Sequence, residues 1–135
     1  HMAQVNIDNL PQKLDGQSFV PLLLLNDFKI EKDRPLVWHY PNKWGNEGPG
    51  IGSFSAVRQG DWKLIYFHKK NTLELYNLKE DIRENHNLSK SNKDKAKQMA
   101  NTLTNYLKNA NAQMPVYKLN KKKVPWPTSI FETTE

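Results

Sequence analysis

At 135 residues with a formal net charge of +6 and no cysteine, the chain has room for one compact domain. Disulfides and thiolate metal sites are excluded. The longest apolar run, "FVPLLLL" at Phe19–Leu25, is far short of the roughly 20 residues that span a bilayer.

His1 and Met2 read as the remnant of an expression tag and are set aside, so the absence of a targeting signal carries no information about location. "LDGQSFVPLLLL" predicts a turn at Asp15-Gly16, an N-cap at Ser18 and a short helix with Pro21 in its first turn. "NDFKIEKD" is a polar connector. Arg34–Tyr40, "RPLVWHY", alternates as a strand, with Leu36, Trp38 and Tyr40 on one face and Val37 and His39 on the other. Pro41 ends it, and "NKWGNEGPGIG" follows as a loop holding four of the six glycines.

"SFSAVRQ" is expected as the second strand, and Gly60-Asp61 turns it into the third, "WKLIYFH". That third strand is apolar on both sides, with Trp62, Leu64 and Tyr66 on one and Ile65 and Phe67 on the other. Such a strand belongs in the middle of a sheet covered on both faces. "TLELYNL" is the fourth strand, reached through a Lys69-Lys70-Asn71 tip, and the short connections make all neighbours antiparallel. The clearest element is a helix over Ser91–Ala112, opened by Ser91 with Asp94 three residues on. Its stripe is Ala96, Met99, Ala100, Leu103, Tyr106, Leu107 and Ala110. Residues 116–135, proline-rich and without period, read as an extended tail. The fold class is therefore α+β: a small antiparallel sheet of about four strands with one long C-terminal helix packed on one face.

The chemistry-bearing residues are sparse. The four histidines are scattered without metal-ligand spacing, and no phosphate-binding glycine motif or nucleophile elbow is present. The basic balance invites nucleic acid, but lysines spread along a helix and a tail suit a solvated face, and no nucleic-acid partner is assigned. The one concentrated cluster is "WHYPNKW", Trp38–Trp44, which sets two indoles, an imidazole, a phenol and an amide beside the glycine-rich loop. Aromatic faces with polar donors suit a sugar. Two readings stand side by side there: Trp38 and Tyr40 as core with His39 as a satisfied strand residue, or a ligand site.

"LDGQSFVPLL", "RPLVWHYPNKWG", "SAVRQGDWKLIYF", "LELYNLKEDIRENHNL" and a helix leading to "AQMP" resemble, in that order, the C-terminal subdomain of the sulfatase family, within the alkaline-phosphatase-like enzymes. The likeness covers about Leu14–Pro115 and is greatest to bacterial sulfatases of sulfated sugars. It makes residues 3–115 a sulfatase C-terminal subdomain and implies an absent N-terminal catalytic domain in the same chain. That domain would hold the family's calcium ion and its formylglycine, made within Cys/Ser-X-Pro-X-Arg. Neither motif nor cysteine occurs here, so no catalytic residue, metal ligand or cofactor is assigned to this segment, which is expected to be inactive by itself.

The resemblance further implies a sulfated saccharide as the parent's substrate, a periplasmic or secreted location, and substrate contacts from His39, Asn42 and Trp44. It gives "LYNLKEDIRENHNL" an architectural role, with Asn77, Asp81, Asn85 and Asn87 bonding nearby backbone and Glu84 pairing with Arg58. The sheet face away from the helix is expected to be partly bare without the missing domain. The alternative is a stand-alone carbohydrate-binding or interaction module.

Overall fold

A computed structural model describes Pro11, Gly16, Ser18 and residues 20–24, 33–42 and 52–132. Two compact units divide the chain, residues 1–31 and 32–135. In the first, a single-turn helix α1, Val20–Leu24, begins where the Val20 amide donates to Ser18 Oγ at 3.3 Å. The proposed turn residue Asp15 and most of the 26–33 connector lie outside the described residues.

In the second unit four strands, β1 (Leu36–Tyr40), β2 (Phe54–Gln59), β3 (Trp62–Phe67) and β4 (Thr72–Asn77), form one antiparallel sheet in sequence order. The two-sided β3 is an interior strand, as its composition requires. Its link to β2 is the two-residue turn Gly60-Asp61, with Gln59 paired to Trp62. Gly60 sits at φ +59°, and an added Cβ would stand 3.1 Å from Asp33 Oδ1, so glycine answers both the backbone and the space.

One helix, α2 (Lys93–Asn109), packs across one face. Val57, Leu64, Tyr66, Leu73 and Leu75 from the sheet meet Ala96, Met99, Ala100, Leu103 and Leu107 from the helix. Each large side chain buried there contributes about 1.5–3 kcal/mol. Two residues of the expected stripe, Tyr106 and Ala110, are exposed, and Thr104 is buried instead.

The start and end of α2 differ from the sequence reading. The N-cap is Asn92, whose side chain accepts from the Lys95 amide at 3.4 Å, while Ser91 Oγ turns back to donate to the Leu88 carbonyl. The helix stops at Asn109 rather than running to Ala112. Asn111 adopts φ +51°, the Ala112 amide donates to the Leu107 carbonyl and the Asn111 amide to that of Lys108. That pair of bonds is the Schellman closure, with asparagine in the left-handed position.

Residues 116–132 are not an extended tail. Val116 bridges Lys123 in a small hairpin, Val124 and Pro127 are buried, and a 3-10 helix, Pro127–Phe131, packs on α2. A tight hairpin followed by one 3-10 turn has no sustained period, which is why hydrophobic spacing could not reveal it.

The acidic, asparagine-rich turn after β4 covers that strand's free edge. Asn87 Oδ1 accepts from the Leu75 amide at 3.1 Å, Asn87 Nδ2 donates to the Leu73 carbonyl, and the Leu88 amide donates to the Leu75 carbonyl at 2.8 Å. An unpaired strand edge is thus satisfied by an amide side chain in place of another strand. Asn77 Oδ1 and Asp81 Oδ2 cap the turn from within, accepting from the amides of Lys79 and His86. The His86 amide first, and the Asn85 amide after it, hold the Asp81 carboxyl below the usual range. Glu84 does not pair with Arg58. It meets Lys63 Nζ at 2.7 and 2.9 Å. Lys63 lies on β3 beside Tyr76 of β4, one strand nearer the turn than Arg58.

Candidate functional site

Two arrangements concentrate polar and aromatic chemistry around β1, one on each face of the sheet. On the helix side, alternation points His39 inward beside Val37, and His39 and Ser55 are cross-strand partners. His68 lies just past the end of β3, where its amide donates to the Ser53 carbonyl. The fold therefore sets Ser55 Oγ between two imidazoles, 2.8 Å from His39 Nδ1 and 2.8 Å from His68 Nε2.

The bonding directions follow from the outermost acceptor. His39 Nε2 is 3.1 Å from the Gln113 carbonyl, which can only accept, so Nε2 carries the proton. In the neutral ring Nδ1 then accepts from the Ser55 hydroxyl, and Ser55 Oγ accepts from His68 Nε2–H. His68 Nδ1 is left buried without a partner. Burial first, and the neighbouring His39 second, lower the His68 pKa to about 4, so this ring is neutral near pH 7. Tyr66 packs edge-on against it and the Tyr117 hydroxyl donates to its carbonyl at 3.3 Å. Burial also pushes the Tyr66 phenol above its ordinary range, and that hydroxyl lies 2.9 Å from the Pro125 carbonyl, which can only accept, and 2.8 Å from the Asn71 side-chain amide.

A serine beside a histidine suggests nucleophilic catalysis, but this pair is built for holding. Ser55 is fully buried, and the His39 ring is held by a hydroxyl and a backbone carbonyl rather than by a carboxylate. Activation of a hydroxyl calls for an accessible nucleophile and a base oriented by a third group. Here the chain of bonds ties edge strand β1 to the backbone that follows α2. Among the described residues no group of three or more His, Asp or Glu side chains could hold a metal ion. No step through calcium is assigned to this segment.

The outward face carries the other arrangement. Leu36, Trp38 and Tyr40 project there and are exposed, Trp38 at 42% and Tyr40 at 51%. The reading of these two as core is thus corrected: Val37 faces α2, and the odd-even alternation sends the aromatics to the opposite side. Tyr40 packs against Phe54, ring centroids 5.2 Å apart. Trp38, Tyr40, Phe54, Arg58, Ile82 and the Lys63–Glu84 pair border an open groove of about 500 Å3.

Of the three residues expected to contact substrate, His39 is held by two partners within the chain, and Asn42 is exposed just beyond Pro41. Trp44 lies outside the described residues. The three are not shown converging on one point. Ser55 and His68 were missed because histidines distant in sequence looked scattered. The signal was present in strand parity, which places His39 and Ser55 opposite each other once β1 and β2 are paired.

The comparisons with known proteins agree with this architecture. A family model described as N-sulphoglucosamine sulphohydrolase, C-terminal, matches residues 1–113. A protein named "Sulfatase" from Formosa agariphila is 29% identical over 123 residues, covering 86% of this chain and 22% of that protein. A solved structure of BT4656 in complex with its substrate D-glucosamine-2-N,6-O-disulfate shares the fold at a TM-score of 0.54 and 24% identity, covering 76% of this chain and 21% of that one. The chain thus spans about a fifth of the length of these relatives. With the antiparallel sheet, its single long helix and the family match over most of its length, the chain belongs to the family of N-sulphoglucosamine sulphohydrolase C-terminal domains, a sulfatase family.

Proposed function

We propose that this chain serves as the C-terminal subdomain of a longer sulfatase, docked through the outward face of its sheet on a catalytic domain that hydrolyses the sulfate of a saccharide. The observation that carries the reading is the two-sided sheet. Helix α2 covers one face, while Leu36, Trp38, Tyr40 and the neighbouring Ile82, 77% exposed, present apolar surface on the other. Contiguous exposed aromatic and aliphatic surface of this kind marks an interface. The formylglycine and calcium of such an enzyme belong to the docked domain. The family description makes a sulfated amino sugar the first substrate to try.

Within that assembly the loop after β1 contributes sugar contacts through Asn42 and Trp44. His39 acts by position: its bonds to Ser55 and Gln113 hold the strand end from which the loop departs. The test is turnover by the full-length enzyme on a sulfated disaccharide and on a small aryl sulfate. Asn42→Ala and Trp44→Ala are expected to lower kcat/KM for the disaccharide by about tenfold, with little change for the aryl sulfate. Equal losses on both substrates, or none on either, remove the loop from the sugar site. A full-length enzyme with no sulfatase activity on any sulfated saccharide overturns the functional reading itself.

A further inference from the structure

We propose a second, separate site: the groove between the end of α2 and the C-terminal hairpin binds an anionic oligosaccharide. The groove has a volume of about 480 Å3, within the range of small-ligand sites. One wall is the turn after the helix, with the amides of Asn111 and Gln113. The other is Lys123, Pro125 and the half-buried indole of Trp126, over a floor that includes buried Val124. Every wall has a fixed cause. The Schellman turn sets Asn111 at φ +51°, and the hairpin is closed by the Tyr117 amide on the Lys122 carbonyl and the Val124 amide on the Pro115 carbonyl.

Charge selects an anion. From Lys95 to Phe131 the chain carries seven lysines and neither Asp nor Glu. Lys123 lines the groove, and Lys108 Nζ stands 5.6 Å from the Trp126 ring centroid. With no acid between Asp94 and Glu132, the lysine in the lining and the one beside Trp126 favour a negatively charged ligand.

The remaining chemistry selects a sugar over nucleic acid. Single strands are held by series of aromatic faces along a basic track, often with arginine. The lining here has one indole, two side-chain amides and no arginine. One aromatic face for the apolar side of a pyranose, amides for its hydroxyls and lysines for its sulfate or carboxylate groups fit a short anionic saccharide. Most of the lining, Met114 to Trp126, follows the residues matched by the family model, and none of it belongs to the loop after β1.

The experiment is an NMR titration of the 15N-labelled chain with three probes: a heparin-derived sulfated tetrasaccharide, neutral maltotetraose and octathymidylate. The sulfated probe is expected to shift the backbone signals of Asn111–Met114 and Lys122–Trp126 and the Trp126 indole N–H, with maltotetraose giving no shift at the same concentration. Lys123→Gln should weaken binding about fivefold. Trp126→Phe, which keeps an aromatic against the core, should weaken it in a chain that remains folded. Shifts confined to other surfaces, unchanged affinity in Lys123→Gln, or equal binding of octathymidylate at these residues overturns the proposal.

Discussion

His39 and His68 bond to one and the same hydroxyl, Ser55 Oγ, at 2.8 Å each, and the three side chains come from β1, β2 and the turn after β3. Removing the bridge leaves two ring nitrogens facing each other without a shared partner, one of them on a fully buried ring. Ser55→Ala is expected to lower stability by about 2 kcal/mol, read from urea unfolding. A change below about 0.5 kcal/mol means the hydroxyl bridges without stabilising.

The same pair sets an acid limit. The His68 pKa in the folded chain is about 4, below its ordinary 6.5, so the unfolded chain binds the extra proton between those values. Stability is then complete above about pH 6.5 and falls as the pH drops towards 4, by up to about 3 kcal/mol. The facing groups are His39 through Ser55, Tyr66 against the ring and Tyr117 at the backbone. Asp81, also held low, adds a loss of the same sign, but around and below its ordinary 3.8. Urea midpoints from pH 7 to 4 should show the slope, and His68→Gln should flatten it.

The strands, their order and the helix were legible because each announces itself by period. Strand parity separated Val37 from Trp38 and Leu64 from Ile65, but which side the helix covers is shown only by the packing. What escaped was set by contacts rather than by period. Ser91 looked like a cap, yet the chain bends one residue later and Asn92 takes the position. The 116–132 segment carried no repeat because its burial rests on Val124, Pro127 and a few long-range bonds. For the candidate site, His39 was legible and its partner Gln113 was not, since Gln113 is distant in sequence and joins only through its backbone carbonyl.

The cap assignment has its own consequence. Asn92→Ala removes the acceptor of the Lys95 amide and should cost about 0.5–1 kcal/mol. Ser91→Ala removes only an exposed hydroxyl bond to the Leu88 carbonyl and should cost less than half as much. Thermal unfolding of the two variants decides between them, and the reverse order would return the cap to Ser91.

Lys63 and Glu84 make a bidentate contact at the border of the outward groove, each about one quarter exposed. Glu84 stands at φ +57°, a conformation that costs a non-glycine residue, so the pair helps to hold a strained turn. Glu84→Gln should lower stability by about 1 kcal/mol, with the difference shrinking in 1 M salt. Arg58→Gln, which removes only a 3.4 Å contact to the Gly60 carbonyl, should change it by less than about 0.5 kcal/mol. A larger loss at Arg58 than at Glu84 would reverse the pairing.

The uncovered outward face should make the isolated chain self-associate. Trp38 and Ile82 border one groove from β1 and from the turn after β4, and both side chains are exposed and apolar. Neither belongs to the core beneath α2, so replacing them with lysine costs little stability while breaking the apolar surface. Sedimentation velocity of the wild-type chain should show a concentration-dependent increase in sedimentation coefficient. Trp38→Lys and Ile82→Lys together should return it to the monomer value, with Tm nearly unchanged. If the proposed docking holds, the same double substitution in the full-length protein should loosen the attachment to the catalytic domain, seen as faster proteolysis between the two. A wild-type chain that stays monomeric at every concentration, joined to a full-length protein indifferent to the substitutions, would remove this face as a docking surface.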